Sequence, residues 1–553
     1  MKGLRFKLPK PTPPPYDVMA ASKAPFGDRL KLACQAWALQ GYGAPKTIYA
    51  LYLFKIAIYI WGWFFFCSFS ADWSGWDNPW ATVMTATAFQ KAILWSMAYE
   101  VMGFGCGSGP LTGRYIPPIG ACLHFVRPGT IKSPLWPGLP IVGGTTRTAV
   151  DAILYLTLLA CVFRTLLAPV ITADLIWPIA ILLPVIALSD KTIFLAARGE
   201  HYYVMTVCFL FPQDWILAAM AVQIAIWMWA AVSKLTPNFP SVLCAMISNS
   251  AVVRSRNLKK KLYRDYPHDL RPAKLTVVLA HMGAAVEFCF PLMLLFGDGG
   301  ALTYAGLVSM VIFHLFISAH FPIAVPIEWN IVVVYGGLFL FGLHSDLSFL
   351  NASSPVLWSF LCIWLVVLPV VGNWLPSKVS FLVSMRYYAG NWPYSIWLFR
   401  HDAQARLDTH LTKASQHPRA QLERLYEESV IEGSFQLVAA FRAMHLQGRV
   451  LHKLLPKAVP TMADYTYHDG EMIAGLVLGW NFGDGHLHDE KLVRAIQEKC
   501  QFEPGQLRCI FVESQSLFGR GYPWRIYDAA TGEIECGQTL LADVADEQPW
   551  PTP

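Results

Sequence analysis

The chain is short of charge. Asp, Glu, Lys and Arg make up 14% of its 553 residues, against 55% hydrophobic ones, whereas a soluble protein averages about 25% charged. That deficit excludes an ordinary soluble protein and points to a polytopic membrane protein. The net charge of +6 is modest and gathered in a few loops, and no DNA- or RNA-binding motif accompanies it. Membrane lipids, not nucleic acid, are therefore the expected surroundings. The twelve Cys include no CxxC pair, and Cys67, Cys161, Cys208, Cys289 and Cys362 lie inside apolar runs, so they read as small core residues rather than disulfides or metal ligands. The opening MKGLRFKLPKPTPPPY lacks the apolar core of a signal peptide. Its prolines at 11, 13, 14 and 15 forbid a helix, so it reads as an uncleaved, extended cytoplasmic arm.

What the chain has in abundance is apolar runs of spanning length. At about 20 residues per crossing, residues 47–69, 85–104, 148–170 and 171–188 read as four spans. Residues 192–235 form a double-length run broken by Pro212, Gln213 and Asp214, which reads as two more. Residues 275–296, 302–321, 327–343 and 355–371 bring the total to about ten, with a range of about eight to twelve. The expected fold is thus an α-helical polytopic membrane bundle followed by a small soluble α+β domain. Residues 251–274 carry eight Lys and Arg against Asp265 and Asp269, which puts that loop in the cytoplasm. An even number of spans on each side then places both termini there, in a bacterial inner membrane. The connection 105–147 is dense in Gly and Pro. With Tyr115, Phe125 and Trp136 it reads as an ordered cap on the membrane face.

Around the bundle, residues 1–46 form the arm and a helix (26–39) able to lie on the membrane surface. Residues 376–399 contain MRYYAGNWPYSIWLF, the composition of an interfacial aromatic anchor. Residues 400–553 form the soluble domain: helices at 403–415, 419–445 and 489–500, an element at 472–478, and strands at 507–513, 524–528 and 533–536, with DAATGE as a hairpin turn.

Ionisable groups at membrane depth are costly and mark a function. Lys234 ends an apolar helix, either snorkelling to the headgroups or acting as a general base. Glu287, in the same run as His281, needs a partner, and Lys234, His314 and His320 are the candidates. His314 and His320 are six residues apart, about 240° around a helix, so they do not share a face. His314 is the interior one and His320 a boundary residue. Together with Glu328, Trp329 and Asn330, His320 reads as lining a substrate site, while Lys234, Glu287, His314 and His281 read as handling protons. In NFGDGHLHDE, Asp484, His486 and His488 are either metal ligands or a glycine turn leading into a capped helix.

FHLFISAHFPIAVPIEWN, RDYPHDLRP, MRYYAGNW, FGDGHLHDE and VESQ together resemble an uncharacterised multi-pass bacterial transmembrane family of unknown function, over nearly the whole chain. A second likeness is to the membrane domain of vitamin K-dependent gamma-carboxylase, through residues 230–235 and 313–321. It implies Lys234 as the base on a reduced quinone. These readings converge on a membrane-embedded enzyme acting on a quinone or other lipid-soluble molecule, its C-terminal domain binding a polar co-substrate or a protein partner. The rivals are a lipid or small-solute transporter, which the absence of an evident internal repeat disfavours, and a membrane scaffold. Lys234→Ala and Glu287→Gln are expected to abolish function in cells that need the protein; retention of full function by either variant would contradict the proton-handling role.

Overall fold

The computed structural model describes residues 9–105, 120–320, 326–348 and 351–551. Six helices among them are long and apolar enough to cross a membrane: Lys46–Cys67, Ala149–Leu167, Trp215–Ser233, Lys274–Phe296, Ala301–Ser318 and Pro355–Trp374. At 1.5 Å per residue each reaches about 30 Å. The apolar stretch of Trp215–Ser233 is 61% buried, against 22–39% for the other five. It is therefore the inner helix, and the others turn their apolar sides outward.

The remaining segments expected to span fall short for specific reasons. Ala86–Val101 has 16 residues, and all those from Ala88 onward are buried, including Gln90, Lys91, Ser96 and Glu100, so protein rather than lipid surrounds it. Ala173–Ser189 has 17 residues. The first half of the 192–235 run is broken into Lys191–Ala196, a π-helical turn Gly199–Tyr203 and Val204–Cys208. The break comes at Arg198, a non-glycine residue with a left-handed φ of 50°. Gly199 follows it, and a Cβ there would lie 2.1 Å from the Phe194 ring. Ile327–Gly337 passes into a second π-helical stretch, Leu338–Leu343.

The basic segment at 251–274 is structured as a short helix, Arg256–Lys261, and a hairpin of β1 (Tyr263–Asp265) and β2 (Asp269–Pro272). The described part of the Gly/Pro-rich connection is fastened by two ion pairs. Lys132 pairs with Asp151 at 2.6 Å and Arg147 with Asp190 at 2.5 Å, all four buried. Asp190 is thus answered from the connection rather than by its neighbour Lys191, which donates to the carbonyl of His486 at 2.9 Å. Tyr115 lies outside the described residues.

Phe26–Gln40 is not a membrane-surface helix. It buries Leu30, Cys34 and Trp37 between Phe239–Asn249 and Glu428–Ala443, and the Trp37 indole donates to the carbonyl of Ala245 at 3.1 Å. The contact is close enough to require glycine: a Cβ on Gly41 would sit 2.4 Å from the Asn249 Cα. The arm before it lies along the C-terminal half, Lys10 pairing with Glu427 and Tyr426 donating to the Pro9 carbonyl.

That half is built on an antiparallel sheet of β3 (Tyr394–Arg400), β4 (Tyr465–Asp469), β5 (Leu507–Val512), β6 (Gly521–Asp528) and β7 (Gly532–Leu540), in the order β4-β3-β5-β6-β7. The segment expected as an interfacial anchor supplies β3. Its residues Tyr394 to Phe399 are all buried; aromatic and apolar side chains suit a strand covered on both faces as well as they suit a headgroup layer. The β6–β7 hairpin forms at DAATGE, where Asp528 Oδ1 accepts from the N–H groups of Ala530 and Thr531 and Gly532 takes φ 91°. The helix expected at 403–415 shrinks to Gln404–His410, and that at 419–445 divides into Pro418–Leu422 and Glu428–Ala443.

Arg442 ties this half together. It reaches Asp469 at 2.6 Å and Glu471 at 2.7 Å, with its guanidinium 4.0 Å from the Tyr394 ring centroid. Arg442→Met strands both carboxylates and should destabilise the fold by about 3 kcal/mol, on the scale for breaking a buried pair. A lower melting temperature of the purified protein, only partly restored in Arg442→Lys, is the expected result.

Candidate functional site

The helices Ala301–Ser318 and Ile327–Gly337 pack side by side, which brings His314 and Asn330 together in the interior. The Trp227 indole, which can only donate, donates to His314 Nε2 at 3.0 Å. His314 is thereby assigned as the Nδ1–H tautomer, donating to Asn330 Oδ1 at 2.7 Å. Asn330 Nδ2 in turn donates to the Pro326 carbonyl at 3.1 Å. His320 stands at the end of its helix, as its spacing implied, but is buried. Its Nδ1 bonds to the Phe316 carbonyl at 2.7 Å, and its own carbonyl accepts from Asn249.

His314 and Asn330 edge a cavity of about 500 Å³ between these two helices, Lys46–Cys67 and the short helix Pro79–Val83. Its walls are overwhelmingly apolar: Trp63, Phe64, Trp80, Val311, Leu315 and Val334. Trp80 and Leu315 are 66% and 65% exposed, so the cavity is a crevice opening sideways on the bundle's outer surface.

Lys234 and Glu287 are paired. The ammonium donates to the Glu287 carboxylate, both side chains are buried, and the rings of Phe239 and Phe313 lie 5.8 and 5.6 Å from the nitrogen. This supplies the partner Glu287 needs. Neither residue lines the crevice. His281 is exposed, on another side of the same helix six residues from Glu287, and the structure does not bring it to the pair.

Trp329 faces a different network from its neighbour Asn330. Its indole donates to His201 Nδ1 at 3.1 Å, and its ring lies 5.4 Å from the Arg198 guanidinium and 5.1 Å from the Tyr387 ring. Arg198 in turn sits 3.4 Å from Glu200, and Glu328 is fully buried. Sequence reasoning did not single out Arg198, Glu200, His201 or Tyr387 as site residues. The cluster RGEH at 198–201 inside an apolar run was the available signal, and π-helical turns often mark such places.

In the C-terminal half, His488 parts from Asp484 and His486. His486 is held between Glu513, at 2.9 Å from Nε2, and Asp484, at 3.4 Å from Nδ1. His488 instead bonds Ser395 Oγ at 2.6 Å, with its ring edge-on to Tyr394. Among the described residues no group of three or more His, Cys, Asp or Glu is placed to hold a metal. The capping pattern is present: Asp489 accepts from the Lys491 N–H and caps Glu490–Cys500. A separate open pocket of about 240 Å³ contains a line from His417 to His468 to Gln404, at 3.1 Å per step.

A family model described as a transmembrane protein of unknown function (DUF3556) matches residues 6–553. The chain belongs to this family. No curated protein and no solved structure matches it. The comparisons do not show the gamma-carboxylase likeness, on which the reading of Lys234 as a base on a quinone rested.

Burial pushes the His486 imidazole down, but the Glu513 and Asp484 carboxylates outweigh it and hold the group up to about 9. An unfolded histidine titrates near 6.5. The stability from this charged form is fully present below about pH 6.5 and is lost as pH rises through about 9. Thermal unfolding between pH 6.5 and 9 should show a falling melting temperature. His486→Gln should flatten that fall, and an equally steep fall in the variant would contradict the assignment.

Proposed function

We propose that the protein binds a lipid-soluble molecule of the isoprenoid or quinone type in the crevice edged by His314 and Asn330. The observation that carries this reading is the shape and chemistry of that crevice. It is an apolar crevice of about 500 Å³ that opens sideways on the bundle, with His314 and Asn330 at its edge. Ligand pockets of roughly 300–1,000 Å³ with apolar walls and a few placed polar groups are the usual form of small-molecule sites. His314 is engaged at both ring nitrogens and holds Asn330 in place, so the second amide N–H of Asn330 is the group that would meet a carbonyl or hydroxyl, already oriented. The Lys234–Glu287 pair lies off the crevice, and the Lys234 nitrogen is engaged by its carboxylate. In this reading the pair clamps the inner helix to Lys274–Phe296 rather than acting on the ligand.

The pocket at His417 and His468 supports a polar ligand for the C-terminal half. The expected placement of both termini on the cytoplasmic side of an inner membrane remains part of the proposal. It is supported by the eight basic residues at 251–274 and by the contact of Arg271, in that segment, with the carbonyl of Asp546 near the C-terminal end.

Lipid extraction and mass spectrometry of the purified protein should yield one isoprenoid or quinone in stoichiometric amount. Val334→Trp, which fills the crevice, should remove it; recovery of only bulk lipids, unchanged in Val334→Trp, would sink the reading. Cys536 is exposed on β7, so an impermeant maleimide should label it only after permeabilisation, with Cys536→Ser as the control. Labelling of intact cells would reverse the assigned orientation.

A further inference from the structure

Phe518, in the loop after β5, is 86% exposed, more than any other large apolar side chain among the described residues. Burying a phenylalanine is favourable, so a free loop would fold it back onto the protein. This loop is not free. Residues 516–519 form a turn closed by the Gly519 N–H donating to the Ser516 carbonyl at 2.9 Å, which leaves Leu517 and Phe518 at its tip. The Gln515 side-chain amide donates to the Gly519 carbonyl at 2.7 Å, and Gln515 exchanges two backbone hydrogen bonds with the Asn391 side chain. On the far side, the Arg520 carbonyl accepts from the Leu541 N–H at 2.8 Å.

The turn is set against the end of a helix of spanning length. The Leu517 N–H donates to the Asn373 carbonyl at 2.8 Å, among the last carbonyls of Pro355–Trp374, which have no partner within their own helix. Along that helix Ile363, Val367, Val370 and Trp374 are exposed, about one turn apart, so its bare apolar side continues to its last residue. Trp374 is 67% exposed, and the exposed Leu375 follows it. Thr236, Asn373 and Leu517 line one small space, and Leu235, next to Thr236, is exposed as well. Exposed apolar residues from three segments therefore gather at one end of the bundle. Lys378 and Arg520, close in sequence to Trp374 and Phe518, are both exposed. An aromatic ring at the end of a spanning helix, with cations just beyond it, is the arrangement suited to a headgroup layer.

We propose that the membrane surface covers this patch. Phe518 enters the boundary between headgroups and acyl chains beside Trp374, while Lys378 and Arg520 meet the phosphates of anionic phospholipids. The loop after β5 is then a second attachment of the C-terminal half to the bilayer, in addition to the helix that precedes β3. It depends neither on the lipid crevice nor on which face is cytoplasmic.

The test uses the full chain in lipid nanodiscs, with the exposed Cys289, Cys362 and Cys536 changed to Ser and a nitroxide attached through Phe518→Cys. The same chain without Phe518→Cys, carried through the labelling, is the blank. In discs of mixed phosphatidylcholine and phosphatidylglycerol, dissolved oxygen, which concentrates in the bilayer, should relax the nitroxide more than a neutral, water-soluble nickel chelate does. Stronger relaxation by the chelate would overturn the proposal, since water would then cover the residue. Relaxation by neither would overturn it too, since protein, such as a second copy of the chain, would cover it. The nitroxide should lie shallower in discs of phosphatidylcholine alone, and Lys378→Gln with Arg520→Gln should remove that difference. Equal depth in the two lipids, or a difference that survives the double substitution, would overturn the assignment of the two cations to anionic headgroups.

Discussion

A charge carried out of water has to be answered inside the protein, because an unpaired buried ion is far costlier than a paired one. Much of the architecture follows from that constraint. Lys132 with Asp151, Arg147 with Asp190, Lys234 with Glu287, and Arg442 with Asp469 and Glu471 are buried pairs. Each joins segments 19 to 53 residues apart. The first two fasten the Gly/Pro-rich connection onto Ala149–Leu167 and the end of Ala173–Ser189. The third holds the inner helix to Lys274–Phe296. The last builds the C-terminal half around β3. Paired in this way the ions specify which segments meet, a role that buried polar groups are known to take where their partners are complete.

Residues 326–330 stand between two chemistries. Asn330 looks toward His314 and the apolar crevice, while Trp329 looks toward His201, Arg198 and Tyr387. Successive residues on a helix are about 100° apart, so one turn of Ile327–Gly337 serves both sides. A molecule in the crevice would press on the same turn that contacts the buried ionic layer. That layer includes Tyr387, on the segment that leads into β3. The bundle and the C-terminal half therefore share an interior rather than being joined by a linker, as the Tyr522 hydroxyl donating to Asn238 and the Leu517 N–H donating to the Asn373 carbonyl also show.

The membrane character, most helix positions, the β6–β7 hairpin and the capped helix after Asp489 were legible in the sequence, since each rests on local composition or a turn signal. Three readings were not secured by it. The last part of the aromatic run at 385–399 became an inner strand, because side chains alone do not say whether a headgroup layer or a second packed face covers them. The helix at 26–39 became an interior layer, because its apolar face fits protein as well as lipid. Ten expected spans became six helices of sufficient length and hydropathy, because Ala86–Val101 is surrounded by protein and the 192–211 run breaks at Arg198.

The same division holds for the site. The sequence by itself determined which residues had to be explained: Lys234, Glu287, His314, Asn330 and Trp329 are polar groups in apolar surroundings, and transfer energetics alone single them out. Only the tertiary structure decided who answers whom. It paired Glu287 with Lys234 instead of a histidine, locked His314 between Trp227 and Asn330, left His281 on the outer surface, and separated His486 from His488. Partner choice depends on distances between segments far apart in the chain, and no local pattern encodes those.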